Sequence, residues 1–211
     1  NSAMTPDAMK LVRDDVGYQV DAGFCSIVPW DILRSNRPPS LKISPLAVVP
    51  QIGRRGRMIL DLSFDVRQPK PKGSRKMGPV LQHSVNKTTN VVVPEIPVRA
   101  LGTVLPKLFR FMAATPPQQV IHFSKIDLSD GFWRLITSHD AAYNFCYVLP
   151  AAPGDGPPHI VVPSALQMGW KQSPAAFCAA TETGRDIIQG YIDQRTTLPS
   201  HPMEAFMTPA R

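Results

Sequence analysis

Apolar positions recur along this chain in two rhythms, one helical and one alternating, and they predict most of its elements. Thr5-Pro6-Asp7 predicts a helix start, with Thr5 as N-cap and Pro6 in the first turn. That helix runs to about Val20 and stops before Gly23. Pro29, Pro38, Pro39 and Pro45 then break the chain into an extended connection. Leu46 to Val49 predicts a strand, Gln51-Ile52-Gly53-Arg54-Arg55-Gly56 a basic turn, and Arg57 to Leu62 the returning strand. Two apolar runs around a Gly-containing loop signal a hairpin. Residues 67–79 are rich in Pro, Lys, Arg and Gly and predict an exposed loop.

Between about Pro97 and Ala114 the spacing of Val98, Leu101, Leu105, Leu108, Phe109 and Met112 suits a helix, despite Pro106. Val120 to Leu128 predicts a strand, and Asn144 to Leu149 with His159 to Pro163 predicts a second hairpin around a Pro/Gly loop. Ser173-Pro174 opens a helix, Ser173 as cap. Its face of Ala176, Phe177, Ala180, Gly184, Ile187, Ile188 and Tyr191 is expected to pack on the core. The last twenty or so residues are Pro-punctuated and predict no strong element. Strands and helices do not alternate regularly, so the fold class expected is α+β, an antiparallel sheet packed on helices.

Composition narrows this picture. The 211 residues allow one sizeable domain or two subdomains sharing a core, and 43% hydrophobic with 18% charged residues fits a globular chain. The 23 prolines imply short elements joined by stiff turns. Cys25, Cys146 and Cys178 are odd in number and form no CxxC pair, which argues against a disulfide framework or zinc site and for an intracellular compartment. No apolar run is long enough to span a membrane, and no signal peptide is evident. A chain beginning with Asn reads as a piece of a longer reading frame.

Charge adds a location. Residues 42–107 hold twelve Lys/Arg against three Asp/Glu, whereas the remainder holds eleven against thirteen. Such a block suits a surface that neutralises phosphates, and equally a solvated basic loop region. His83, His122, His139, His159 and His201 show no metal-ligand spacing, and Ser164 and Ser173 lack a nucleophile-elbow context.

The chemistry centres on Asp127, at the end of the predicted strand. A carboxylate there is costly to bury unless paired, bound to a cation or facing solvent, and phosphoryl transfer uses such oxygens to hold Mg²⁺. Local features alone favour the plainer role of capping the following turn.

Three blocks, taken together, shift that balance. Lys125-Ile126-Asp127-Leu128-Ser129-Asp130-Gly131-Phe132 resembles the first catalytic motif of reverse transcriptases. Leu166-Gln167-Met168-Gly169-Trp170-Lys171-Gln172-Ser173-Pro174 resembles their next block, which leads into a palm helix. Arg57-Met58-Ile59-Leu60-Asp61-Leu62-Ser63 resembles the second strand of their fingertip hairpin. The blocks occur in the family's order, and the resemblance, of retrotransposon type, covers about residues 40–195.

It implies a division into an N-terminal helix and connection (1–40), basic fingers (41–119), a partial palm (120–195) and a Pro-rich tail (196–211). It implies RNA-directed DNA polymerase chemistry: template–primer (RNA or DNA) and dNTP bound with Mg²⁺, two ions in the complete enzyme. Asp127 and the Leu128 carbonyl would be metal ligands, and Ser129, Asp130 and Gly131 would lie beside the triphosphate. Phe132 would be the aromatic that excludes a ribose 2′-hydroxyl; its plainer reading is a core aromatic. Arg57 would reach the triphosphate bidentately. Arg54 or Arg55 would replace the relatives' fingertip lysine, and Trp170 and Lys171 would meet nucleic acid. Met168 stands where relatives carry glutamine, leaving an apolar contact to the nucleotide sugar, and Gly169 allows close backbone approach.

The family's Tyr-x-Asp-Asp hairpin is not in this sequence. Tyr191-Ile192-Asp193-Gln194 lacks the second Asp and continues the helical period, so Tyr191 reads as core and Asp193 as a helix-face charge. The chain is therefore expected to be a fragment, inactive alone, whose partners include the remaining palm, the thumb and further polyprotein parts such as RNase H and integrase. The alternative is a non-catalytic nucleic-acid-binding remnant; a third reading is an unrelated basic α+β scaffold.

Overall fold

The computed structural model describes residues 5–69, 77–89, 103–123 and 127–194. They fall into two units: residues 1–93 with 120–177, and residues 94–119 with 178–211.

The first unit starts with helix α1 (Pro6–Asp21), where the Thr5 hydroxyl accepts from the Ala8 N–H at 3.3 Å, as its sequence predicts. Ala8, Val12, Val16 and Gln19 form its buried stripe, at the 3–4 residue spacing that puts side chains on one helix face. Gly23, at φ 75°, turns the chain out of the helix. The next stretch is not merely extended: it forms strand β1 (Cys25–Pro29) and helix α2 (Trp30–Ser35). Pro29 closes the strand and precedes the helix, a junction where its missing N–H is tolerated.

Strands β1, β6 (Tyr147–Val148) and β7 (His159–Pro163) make an antiparallel sheet with β7 in the middle. A central strand is covered on both faces, so its apolar run is continuous rather than alternating. Val161 packs with Val12, Val16 and Tyr147, whereas Ile160 and Val162 join Leu33, Leu41 and Cys146 on the opposite face. The predicted second hairpin is thus present, with a shorter first strand.

The first hairpin pairs β2 (Leu46–Gln51) with β3 (Arg54–Leu60), in register from Leu46–Leu60 to Gln51–Arg54. Its turn is tighter than expected. Ile52-Gly53 makes the turn, with Gly53 at φ 67°, so Arg54 and Arg55 belong to the strand rather than to a six-residue turn. The loop expected over 67–79 is flanked by a short ladder, β4 (Val66–Arg67) pairing with β5 (Val80–Gln82), ahead of the short helix α3 (Val85–Thr88).

The strand expected over Val120–Leu128 is not formed in its described part, residues 120–123 and 127–128; Ser124, Lys125 and Ile126 lie outside the described residues. A strand needs a neighbour for its backbone groups, and the described part of this segment enters no ladder. Its apolar side chains Val120 and Phe123 are exposed. A 3-10 turn (Gly131–Arg134) and helix α5 (His139–Ala142) lead back to the sheet.

In the second unit, helix α4 (Val104–Ala114) carries Pro106 in its first turn, where no intrahelical N–H is needed. The earlier part of that predicted helix, residues 97–102, lies outside the described residues. Helix α6 (Ser173–Asp193) starts at the predicted Ser-Pro; residues 173–177 belong to the first unit and the rest to the second. Its predicted face is covered unevenly: Ala176, Phe177, Gly184 and Tyr191 are half-buried, while Ala180, Ile187 and Ile188 are exposed. The exposed residues occupy correctly spaced positions, but spacing alone does not supply a surface to pack on. The architecture is mixed helix and strand with small antiparallel sheets. No helix among the described residues is long and apolar enough to cross a membrane.

Candidate functional site

The end of β3 and the turn before α6 meet. Antiparallel pairing sets Arg57 opposite Val49, and its Nη2 donates to the Met168 thioether at 3.2 Å. Both side chains remain exposed. A thioether is a weak acceptor, so this contact leaves most of the guanidinium's donors uncommitted to it.

Gly169, at φ 95°, sits close against β3: a Cβ placed there would lie 3.3 Å from the Leu60 carbonyl oxygen. The expected close approach is therefore to the protein's own strand end. The next residues are clamped from α3. Asn86 Nδ2 donates to the Gly169 carbonyl at 3.0 Å and to Ser63 Oγ at 2.9 Å, while its Oδ1 accepts from the Lys171 N–H at 2.9 Å. The Trp170 indole N–H donates to Thr89 Oγ1 at 2.8 Å, and its ring meets Phe145 edge-on at 5.4 Å. Trp170 is half-buried by these contacts, whereas the Lys171 side chain is exposed.

Ser173 does not cap α6. Its hydroxyl is fully buried and donates to the Gln167 carbonyl at 2.7 Å, closing the turn from inside. A hydroxyl can donate or accept, and here it donates to the Gln167 carbonyl.

The platform under Asn86 is held by charge. Asp65 Oδ1 accepts from the Ser84 N–H at 2.8 Å, with Lys87 at 3.8 Å and His83 at 3.6 Å. The Ser84 N–H, with Lys87 and the His83 ring beside it, holds the Asp65 carboxyl below the usual carboxylate range. Lys42 donates to the carbonyls of His83 and Ser84 at 3.2 and 3.3 Å and to Thr88 Oγ1; partial burial lowers its pKa.

Asp127, Leu128 and Ser129 are exposed on irregular backbone, and the three residues before Asp127 lie outside the described residues. Asp130 takes a left-handed conformation (φ 56°), and its Oδ2 accepts from the Tyr18 hydroxyl of α1 at 2.8 Å, which raises the Tyr18 pKa. Arg134 reaches back to the Ser129 carbonyl at 3.4 Å and lies over the Phe24 ring. A Cβ at Gly131 would stand 3.0 Å from the Phe177 ring, which would have to shift by a few tenths of an ångström. Phe132 packs edge-on against Phe177 at 5.4 Å and is half-buried, an environment that also suits a core aromatic.

Of the other arginines, Arg55 is engaged by Asp15 at 2.6 Å and by the Leu11 carbonyl, so it braces β3 on α1. Arg54 is exposed at the hairpin tip. In the tempting Tyr191–Asp193 segment, Tyr191 is half-buried and Asp193 accepts from Gln189 one turn earlier, as a helix-face charge does.

No group of three His, Cys, Asp or Glu among the described residues is arranged to hold a metal ion. Arg57, Met168 and Gly169 are brought together. Asn86, which joins them to α3, had no signature in sequence: an Asn in a polar stretch acquires meaning only through partners 23 to 85 residues away. Comparison with protein-family models and with curated proteins found no match to this chain.

Proposed function

We propose that the chain is the fingers and front palm of a reverse transcriptase of retrotransposon type, binding template–primer (RNA or DNA) and dNTP. The observation that carries this reading is the contact of Arg57 with Met168. Two blocks 111 residues apart, each resembling part of the nucleotide site of such polymerases, present exposed side chains to one another. A guanidinium suits a phosphate, and a neighbouring methionine suits the face of a sugar. The basic block of residues 42–107, which contains the β2–β3 hairpin, supplies charge for a nucleic-acid backbone.

In this reading Asp127 would supply one carboxylate of the pair that a two-metal displacement uses, the second coming from outside this chain; Mg²⁺ would contribute charge stabilisation of the transferring phosphate. The chain alone then binds rather than polymerises, and the remaining palm and thumb are its partners. The exposed, irregular setting of Asp127 also favours a second reading, a non-catalytic nucleic-acid-binding remnant. Primer extension with Mg²⁺ and dNTPs separates the two: incorporation lost in Asp127→Asn would establish catalysis in this chain.

Titration of a labelled RNA–DNA hybrid at several salt concentrations tests the binding itself. Affinity is expected to fall steeply with salt, and Arg57→Ala to weaken it and reduce the log–log slope by about one. Absence of binding at about 50 mM salt, where phosphate contacts are strongest, contradicts the proposal.

A further inference from the structure

We propose that Asn86 is a positioning residue: it fixes the Gly169–Lys171 backbone against the end of β3 and so sets where Met168 meets an incoming nucleotide. This rests on the polymerase reading of that turn.

The geometry leaves little freedom. A carboxamide offers two N–H donors and one carbonyl acceptor, and all three groups are used. The donors go to the Gly169 carbonyl and Ser63 Oγ, and the acceptor receives the Lys171 N–H. Those two backbone groups flank Trp170, whose indole N–H donates to Thr89 Oγ1. The amide orientation is fixed by its partners, because a flipped group would set donor against donor and acceptor against acceptor. Aspartate would keep the acceptor and lose both donors; glutamine is a methylene too long.

The clamp is rooted at both ends. Asn86 donates its backbone N–H to the Leu62 carbonyl at 3.0 Å, so it is tied to the chain leaving β3. Helix α3 is only four residues long and could not hold an arm by itself. Asp65 fixes Ser84 at its start, the Ser84 hydroxyl accepts from the Lys87 N–H, and Lys42 ties His83 and Ser84 from the other side. All of the carboxamide's bonds to the turn fall on residues 169 and 171. Met168, immediately before them, stays outside the clamp, 51% exposed beside Arg57. An exposed methionine gains little by being held, so immobilising its neighbours serves the surface it presents.

The methyl resonance of ¹³C-labelled Met168, assigned with Met168→Leu, reads this directly. The protein is first bound to an RNA–DNA hybrid and then titrated with the complementary Mg-dNTP. In the natural sequence the resonance is expected to move with dNTP. In Asn86→Ala the resting resonance shifts, and the dNTP midpoint weakens by about tenfold, as the loss of two or three hydrogen bonds predicts. Hybrid affinity and the circular-dichroism melt serve as controls for general loss of structure. Ser63→Ala, which removes one clamp bond, gives the same change to a smaller extent and stands in should Asn86→Ala unfold. A midpoint unchanged in both variants overturns the positioning role and leaves the polymerase reading intact. A Met168 resonance indifferent to dNTP in the natural sequence overturns both.

Discussion

Gly169 shows how one residue can serve both fold and site. Its φ of 95° is strained for any side chain, and the Leu60 carbonyl oxygen occupies the approach a Cβ would need. Gly169→Ala is expected to destabilise the chain by about 1–2 kcal/mol, measured as a lower urea midpoint at unchanged slope. The glycine's need for close approach was legible in sequence, because few other roles require glycine inside a Gly-x-x-x-Ser-Pro block. What it approaches was not. Ser173 reverses the lesson: Ser-Pro before a helix reads as a cap, yet the hydroxyl is drawn inward by a buried carbonyl. Arg57 with Met168, and Asn86 with the turn, depend on contacts across more than eighty residues, and local pattern carries no trace of them.

Among elements, legibility followed the source of stability. Helix α1 was readable because its cap and its buried stripe are both local features. The two hairpins were readable because turn and strands are contiguous. The segment at Val120–Leu128 has strand-like composition, but strand formation is settled by a neighbour, and its described residues have none. Strand β1 and helix α2 were hidden by prolines that turned out to sit at element ends. The β4–β5–α3 region owes its order to Asp65, whose carboxyl is stabilised as the anion by the Ser84 N–H, Lys87 and His83. A carboxyl lowered in the folded state contributes stability that is present above its ordinary value of 3.8 and is lost as pH falls through the folded value. Asp65→Asn is therefore expected to lower stability at neutral pH and to flatten the loss of stability below about pH 4. Denaturant melts of both proteins across pH 2–7 check this; parallel profiles would contradict it. Some acid sensitivity will remain in the variant, since Asp155, bonded by the Ala152 N–H and by Arg13, is lowered in the same direction.

For the whole molecule, the decisive feature is where charge and turn coincide. The net charge of +7 is concentrated in residues 42–107, and within that block β3 carries Arg54, Arg55 and Arg57. They divide the work: Arg55 is spent on Asp15, bracing the strand, while Arg57 faces the Met168 turn and Arg54 lies exposed at the tip. A mixture of helices and antiparallel strands was legible from the irregular ordering of elements; the division into these two units was not, because it depends on which distant segments pack together. In the proposed function the β2–β3 hairpin and the 168–171 turn form one face for template–primer and nucleotide. Hydrogen–deuterium exchange of the chain with and without an RNA–DNA hybrid tests this. Slowed exchange is expected in residues 52–59 and 168–171 together on hybrid binding. Protection elsewhere, with both of these segments unchanged, would contradict it.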